Sequence, residues 1–143
     1  MKLFDTTLTR LQESLDVRLV EHNVLAGNIA NSDTPGYKPK ALDFSAAMAA
    51  AQQSGTSAAM TATNAMHLGA AGTSVDASSR AMAAATSLVS DSTGSGANFD
   101  GNEVDLDRTM AGLAENSLQY GASARAAGKK LAILRYVVSD GGS

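Results

Sequence analysis

The sequence predicts an all-α protein: an antiparallel coiled-coil hairpin of N- and C-terminal helices with a partly irregular Ala/Ser/Gly-rich middle segment. Three observations carry that expectation. Apolar residues recur in alternating steps of four and three at both ends of the chain. A hard stop over residues 28–38 ends the first of these patterns. The stretch between them is dominated by small residues. The predicted organisation is an N-terminal helix over 1–31, a turn motif and flexible segment over 32–103, and a C-terminal helix over 104–143, forming one assembled unit.

In the first helix, over about 5–31, the seam is Phe4, Leu8, Leu11, Leu15, Leu25 and Ile29, with Arg18 and His22 at its two middle positions. Val17, Val20 and Val24 widen the apolar surface on one flank. Arg18 and His22 face either a neighbouring subunit or polar residues of the C-terminal helix, and the sequence leaves both open. An isolated helix of this kind needs a partner to bury its stripe.

The helix ends in Asn28-Ile29-Ala30-Asn31-Ser32-Asp33-Thr34-Pro35-Gly36-Tyr37-Lys38. Pro35 keeps Thr34 out of the helical region. Asn31 is suited to a left-handed helix C-cap. Pro35-Gly36 suits the centre of a type II turn, in which Gly36 takes the positive φ. Asn28 and Asn31 lie three apart and share a face of the last turn. Tyr37 to Lys40 should then be extended, and Asp43 can cap a short alanine-rich helix from about Phe44 to Gln53.

From about Ser54 to Asn98 the chain is mostly Ala, Ser, Thr, Gly and Met, and a mobile middle is expected. A helix over about Asp76 to Val89 fits Met82, Ala85, Leu88 and Val89, and Ser90 to Asn98 reads as a linker. Asp100-Gly101-Asn102 forms a second turn. Asn102 or Asp105 caps the long helix that follows to about Val138. Its seam is Leu106, Met110, Leu113, Ser117, Tyr120, Ala124, Ala127, Leu131, Leu134 and Val138. Arg125, Lys129, Lys130 and Arg135 gather toward its C-terminal end, where the helix dipole favours them.

Composition limits what such a chain can do. With three phenylalanines, three tyrosines and no tryptophan in 143 residues, it has little with which to fill a thick core. A net charge of −3 gives no reason to expect nucleic acid, and zero cysteines exclude disulfides and thiolate metal sites. No apolar run approaches a membrane span, and the N-terminus lacks a secretory apolar core. His22 and His67 have no neighbouring ligands at metal spacing. No nucleophile elbow surrounds any serine, and Gly128-Lys129-Lys130 is not a P-loop. The acids Asp100, Glu103, Asp105 and Asp107 lack calcium-loop spacing and suit a helix start. The expectation is a non-enzyme with no cofactor.

The block Leu25 to Lys38, with its Asn28-Ile29-Ala30-Asn31 and Thr34-Pro35-Gly36-Tyr37, resembles the signature of bacterial flagellar rod and hook axial proteins. Asp100 to Arg108 together with Glu115 to Tyr120 is similar to the proximal rod branch of that family, and the short length fits it. Thr63 to Leu68 resembles the family's short Thr…His stretch, with Ala65 where a proline is common. Together these blocks cover about half the chain.

The resemblance implies a structural subunit of the periplasmic rod that transmits torque through the drive shaft. The implied partners are copies of itself, other rod subunits, the rod–MS-ring adaptor and MS-ring protein, and transiently the flagellar type III export gate. Neither nucleic acid nor a small-molecule substrate is implied. Export would proceed without a cleaved signal peptide. Phe4 and Leu8, one helical turn apart, are similar to the short element such subunits present to the gate, although the same pair also begins the seam. Two further readings are a sister rod subunit and a small helical-hairpin protein of another export system. An isolated subunit with so thin a core is expected to be only partly folded.

Overall fold

The computed structural model describes residues 6–54, 77–92 and 99–140. In chain order the elements are α1 (Thr6–Ala30), β1 (Lys40–Leu42), α2 (Phe44–Ser54), α3 (Ala77–Ser87), β2 (Val89–Asp91) and α4 (Leu106–Asp140). Phe4 and the Thr63 to Leu68 stretch lie outside the described residues.

The fold is the all-α hairpin expected from the two seams. Leu25 lies against Gly112, and Arg18, earlier in α1, reaches Asn116, later in α4, so the helices run antiparallel. At 35 residues against 25, α4 is the longer partner by roughly 15 Å. The chain is not purely helical, however. Lys40 pairs with Asp91, Ala41 with Ser90 and Leu42 with Val89 in a two-stranded antiparallel ribbon that no alternation in the sequence announces.

The core lies on the side of α1 away from α4. Val17, Val20, Ala47 and Ala85 are buried together, flanked by Leu42, Phe44, Met48, Met82, Leu88 and Val89. Val17 and Val20 stand three apart and project as one ridge toward α2 and α3. The alanines of those helices have no bulk, so the backbones come close and the valines fill the remaining space. The helix expected over about Asp76 to Val89 is formed as α3, with Ala81 and Ala85 buried. Two expectations need correction here. Ser90 and Asp91, expected in a linker, belong to β2. Val17 and Val20 are not a margin of the α4 seam but the centre of the core.

Local chemistry sets the element ends. The Ala46 N–H donates to Asp43 Oδ1 at 3.0 Å, capping α2. The Arg108 N–H donates to Asp105 Oδ1 at 3.0 Å, so Asp105, not Asn102, caps α4, which starts at Leu106 and not Val104.

Candidate functional site

Two regions hold the residues singled out in the sequence: the joint where α1 ends, and the surface of α4. At the joint, Tyr37 donates its backbone N–H to the Thr34 carbonyl at 3.2 Å, and Gly36 has a φ of 70°. Pro35 and Gly36 therefore occupy the centre of a type II turn. Asn31 departs from expectation. No non-glycine residue among those described has a positive φ, so Asn31 is not a left-handed cap. The end of α1 instead tightens into i→i−3 bonds from Asn31 to Asn28 and Ser32 to Ile29. The Asn31 side chain donates back to the Gly27 carbonyl at 2.8 Å and accepts from the Thr34 hydroxyl at 3.3 Å.

Asn28 supports the ribbon. Its Oδ1 accepts from the Lys40 N–H at 2.9 Å and its Nδ2 donates to the Lys40 carbonyl at 2.7 Å. Tyr37 adds its hydroxyl to the same Oδ1 at 3.2 Å. The amide thus occupies the edge of β1 opposite β2, satisfying the two backbone groups a neighbouring strand would have met.

The second turn closes on the first. Asn102 is fully buried, and its Nδ2 lies 2.9, 2.8 and 2.8 Å from the carbonyl oxygens of Asn31, Ser32 and Thr34. Two N–H groups shared among three acceptors give the Asn31 and Thr34 carbonyls, which already accept from the Thr34 and Tyr37 N–H groups, a second donor, and they reach the Ser32 carbonyl as well. Asn102 Oδ1 accepts from the Val104 N–H at 2.8 Å, which fixes the orientation of the amide. Gly36 donates its N–H to the Asp100 carbonyl at 3.0 Å, and Glu103 donates to the Tyr37 carbonyl at 3.1 Å. Gly101, at φ 76°, lies so close that a Cβ there would sit 3.6 Å from the Gly36 Cα.

On α1, Leu8, Leu11, Leu15, Leu25 and Ile29 are all half-buried, while Ala30 is exposed. On α4 the covered side carries Thr109, Gly112, Leu113 and Asn116. Asn116 donates to the Arg18 carbonyl at 2.9 Å and accepts from the Arg18 guanidinium at 3.4 Å. That guanidinium also stacks over Phe44, 4.4 Å from its centroid, so one side chain ties α1 to both α4 and α2. Arg18 therefore turns to the C-terminal helix, while His22 stays exposed at the hairpin groove. Burial raises the Glu21 carboxyl above its usual range. The nearby Arg18 opposes that shift and Glu115 adds to it.

Leu113 and Leu134 are half-buried, but Leu106, Met110, Tyr120 and Leu131 stand exposed. With 100° per residue, Leu106, Met110 and Ser117 lie roughly 80–120° around the helix from Asn116. The hairpin uses a mixed stripe on which Thr109 and Asn116 are buried and Leu113 and Leu134 half-buried, and much of the apolar seam remains uncovered. Toward its end α4 becomes apolar on most sides: Leu131, Ile133, Tyr136, Val137 and Val138 are exposed and spread over roughly 220° of the circumference.

Asn102 and Asn116 were the residues the sequence concealed. Asp100-Gly101-Asn102 read as an ordinary turn, and an asparagine within a helix reads as neutral surface. Among the described residues no group of three His, Asp or Glu could hold a metal ion, and no helix is long and apolar enough to cross a membrane.

The joint coincides with the region of known likeness. Residues 18–38 match the family model described as flagella basal body rod protein. Over almost the whole chain, the sequence is similar to flagellar basal body rod proteins FlgB. The Escherichia coli (strain K12) protein is 33% identical over 141 residues, covering 96% of each chain. The Salmonella typhimurium protein is also 33% identical, with 96% of each covered. That of Cereibacter sphaeroides is 35% identical over 111 residues, 78% of this chain and 77% of the relative. With a third of its residues shared over 96% of both chains, and with a structural, non-enzymatic family at the other side of these matches, the chain belongs to the FlgB family of flagellar basal-body rod proteins.

Proposed function

We propose that this chain is a structural subunit of the proximal rod, carrying torque along the drive shaft and so contributing to flagellum-dependent motility. The observation that carries this reading is the division of labour on α4. The side facing α1 is mixed, with Thr109 and Asn116 beside half-buried Leu113 and Leu134, whereas Leu106, Met110, Tyr120, Leu131 and the last turns are uncovered. A helix apolar on most sides is suited to being surrounded by other helices. A shaft under torque needs such lateral packing, together with rigid joints like the one around Asn28, Gly36 and Asn102.

The partners of this reading are further copies of the chain, other rod subunits, the rod–MS-ring adaptor and the MS-ring protein, in the basal body. Its route there is the flagellar type III export gate, for which Phe4 and Leu8 are the candidate contact. Phe4→Ala is expected to lower secretion sharply while cytoplasmic levels hold. Normal secretion with failed assembly would assign Phe4 to packing alone.

The direct test is genetic. Leu113→Asp places a carboxylate on the hairpin side of the seam, where burying a leucine is worth ~1.5–3 kcal/mol. Cells whose only copy carries it should lack rods and fail to swim. Swimming cells with normal basal bodies would contradict the reading.

A further inference from the structure

We propose that Phe99 is an anchor that seats in the groove between α1 and α4 of a second copy, making a head-to-tail contact along the assembly. This rests on the rod-subunit reading and adds to it a defined pair of surfaces. Phe99 is the most exposed large apolar residue among those described, with its whole ring in solvent. It directly precedes the best-fixed turn in the molecule. Asp100 accepts from the Gly36 N–H at 3.0 Å and from the Asn102 N–H at 3.1 Å, and Asn102 is held by four further bonds. A bare phenyl beside a turn so restrained has the character of an anchor on a preorganised backbone, so that binding has mainly the ring's own rotamers to fix.

The matching hole is on the same chain. Leu19, His22, Asn116, Ser117 and Tyr120 line a groove of about 290 Å³ between the helices of the hairpin, enough for one phenyl ring. Leu19 and Tyr120 are both exposed at its walls, and Asn116 closes its floor through the Arg18 backbone. The exposed leucines, valines and Tyr136 of α4 project from a helix, so burying them brings another helix alongside. Phe99 sits on a turn and can enter a narrow groove without bringing a helix backbone with it.

Phe99 and the groove are different surfaces. The groove lies roughly 15 Å back along α1 from the joint that presents the phenyl. A contact between two different patches is heterologous and repeats from copy to copy, producing an open helical array and not a closed pair.

The absence of cysteine makes the test clean. Cells whose only copy carries both Phe99→Cys and Ser117→Cys are treated with a short bismaleimide, and basal bodies are isolated. The expected product is a ladder of cross-linked multimers, absent from either single variant. Pairing Phe99→Cys with Leu118→Cys, which lies on another side of α4, should produce none. Phe99→Ala should be incorporated about ten- to hundred-fold less well than wild type in competition, with Phe99→Leu recovering much of the loss. The purified Phe99→Ala protein should melt at the wild-type temperature, because the ring is fully exposed among the described residues. The proposal is overturned if both cysteines are incorporated without a ladder, if the Leu118 pair links as well, or if Phe99→Cys links only to a different protein. Absence of the wild-type chain from basal bodies would instead overturn the rod-subunit reading, and this contact with it.

Discussion

Asn102 shows how one amide can join parts of a chain that are 71 residues apart. Its Nδ2 must be a donor, because it faces three carbonyl oxygens, and its Oδ1 must accept from Val104. Asn102→Ala removes the side-chain donor shared by the Asn31, Ser32 and Thr34 carbonyls, of which Asn31 and Thr34 keep one backbone bond each, and takes the acceptor from the buried Val104 N–H, so it should cost about 1–3 kcal/mol. Asn102→Asp should cost at least as much, because a carboxylate keeps the Val104 bond yet directs negative charge at the carbonyls. Denaturant unfolding of both variants checks the order; a harmless Asn102→Asp would refute the donor role. Glu21 makes a separate prediction. Its folded pKa is raised by burial, so in the window from the ordinary carboxylate range up to that raised value the folded state binds more protons than the unfolded. Stability from this group is present at low pH and lost as pH rises through the raised value. Glu21→Gln should flatten that decline in melting temperature as pH rises above the ordinary carboxylate range.

At the scale of elements, α1 has two working sides and α4 has one mixed side that is used. Val17 is fully buried against the alanines of α2 and α3, so Val17→Ala should destabilise the isolated chain by about 2 kcal/mol. The contact with α4 depends on Arg18, Asn116 and the Leu25–Gly112 approach. In the purified protein, hydrogen exchange should therefore be faster in α4 than around Val17 and Val20; equal protection would contradict this partition.

The seams were legible because heptad spacing is a local property, and so was the type II turn, because Pro35 and Gly36 each restrict φ on their own. Three features were not legible. The side of α4 that meets α1 was hidden because a seam records which residues are apolar and not which neighbour covers them. The ribbon was hidden because three-residue strands carry no periodicity, and β1 is held by the Asn28 amide as well as by its partner. The Asn102 bonds were hidden because they are non-local, and the turn chemistry of Asp-Gly-Asn explained those residues sufficiently without them.

At the scale of the whole molecule, the chain places its apolar core around α1 and its joint, and leaves α4 presenting apolar surface outward. That is costly for an isolated protein and useful for a subunit that meets several neighbours. The most direct test of this account is hydrogen exchange at Leu131 to Val138, measured in the purified chain and again in intact basal bodies. The account predicts exchange in the free chain close to that of an unprotected helix end, and slowing of at least a hundredfold in the basal body, equivalent to about 2.7 kcal/mol or more of protection. Equal, rapid exchange in both states would mean that no neighbour covers these turns, and would contradict it.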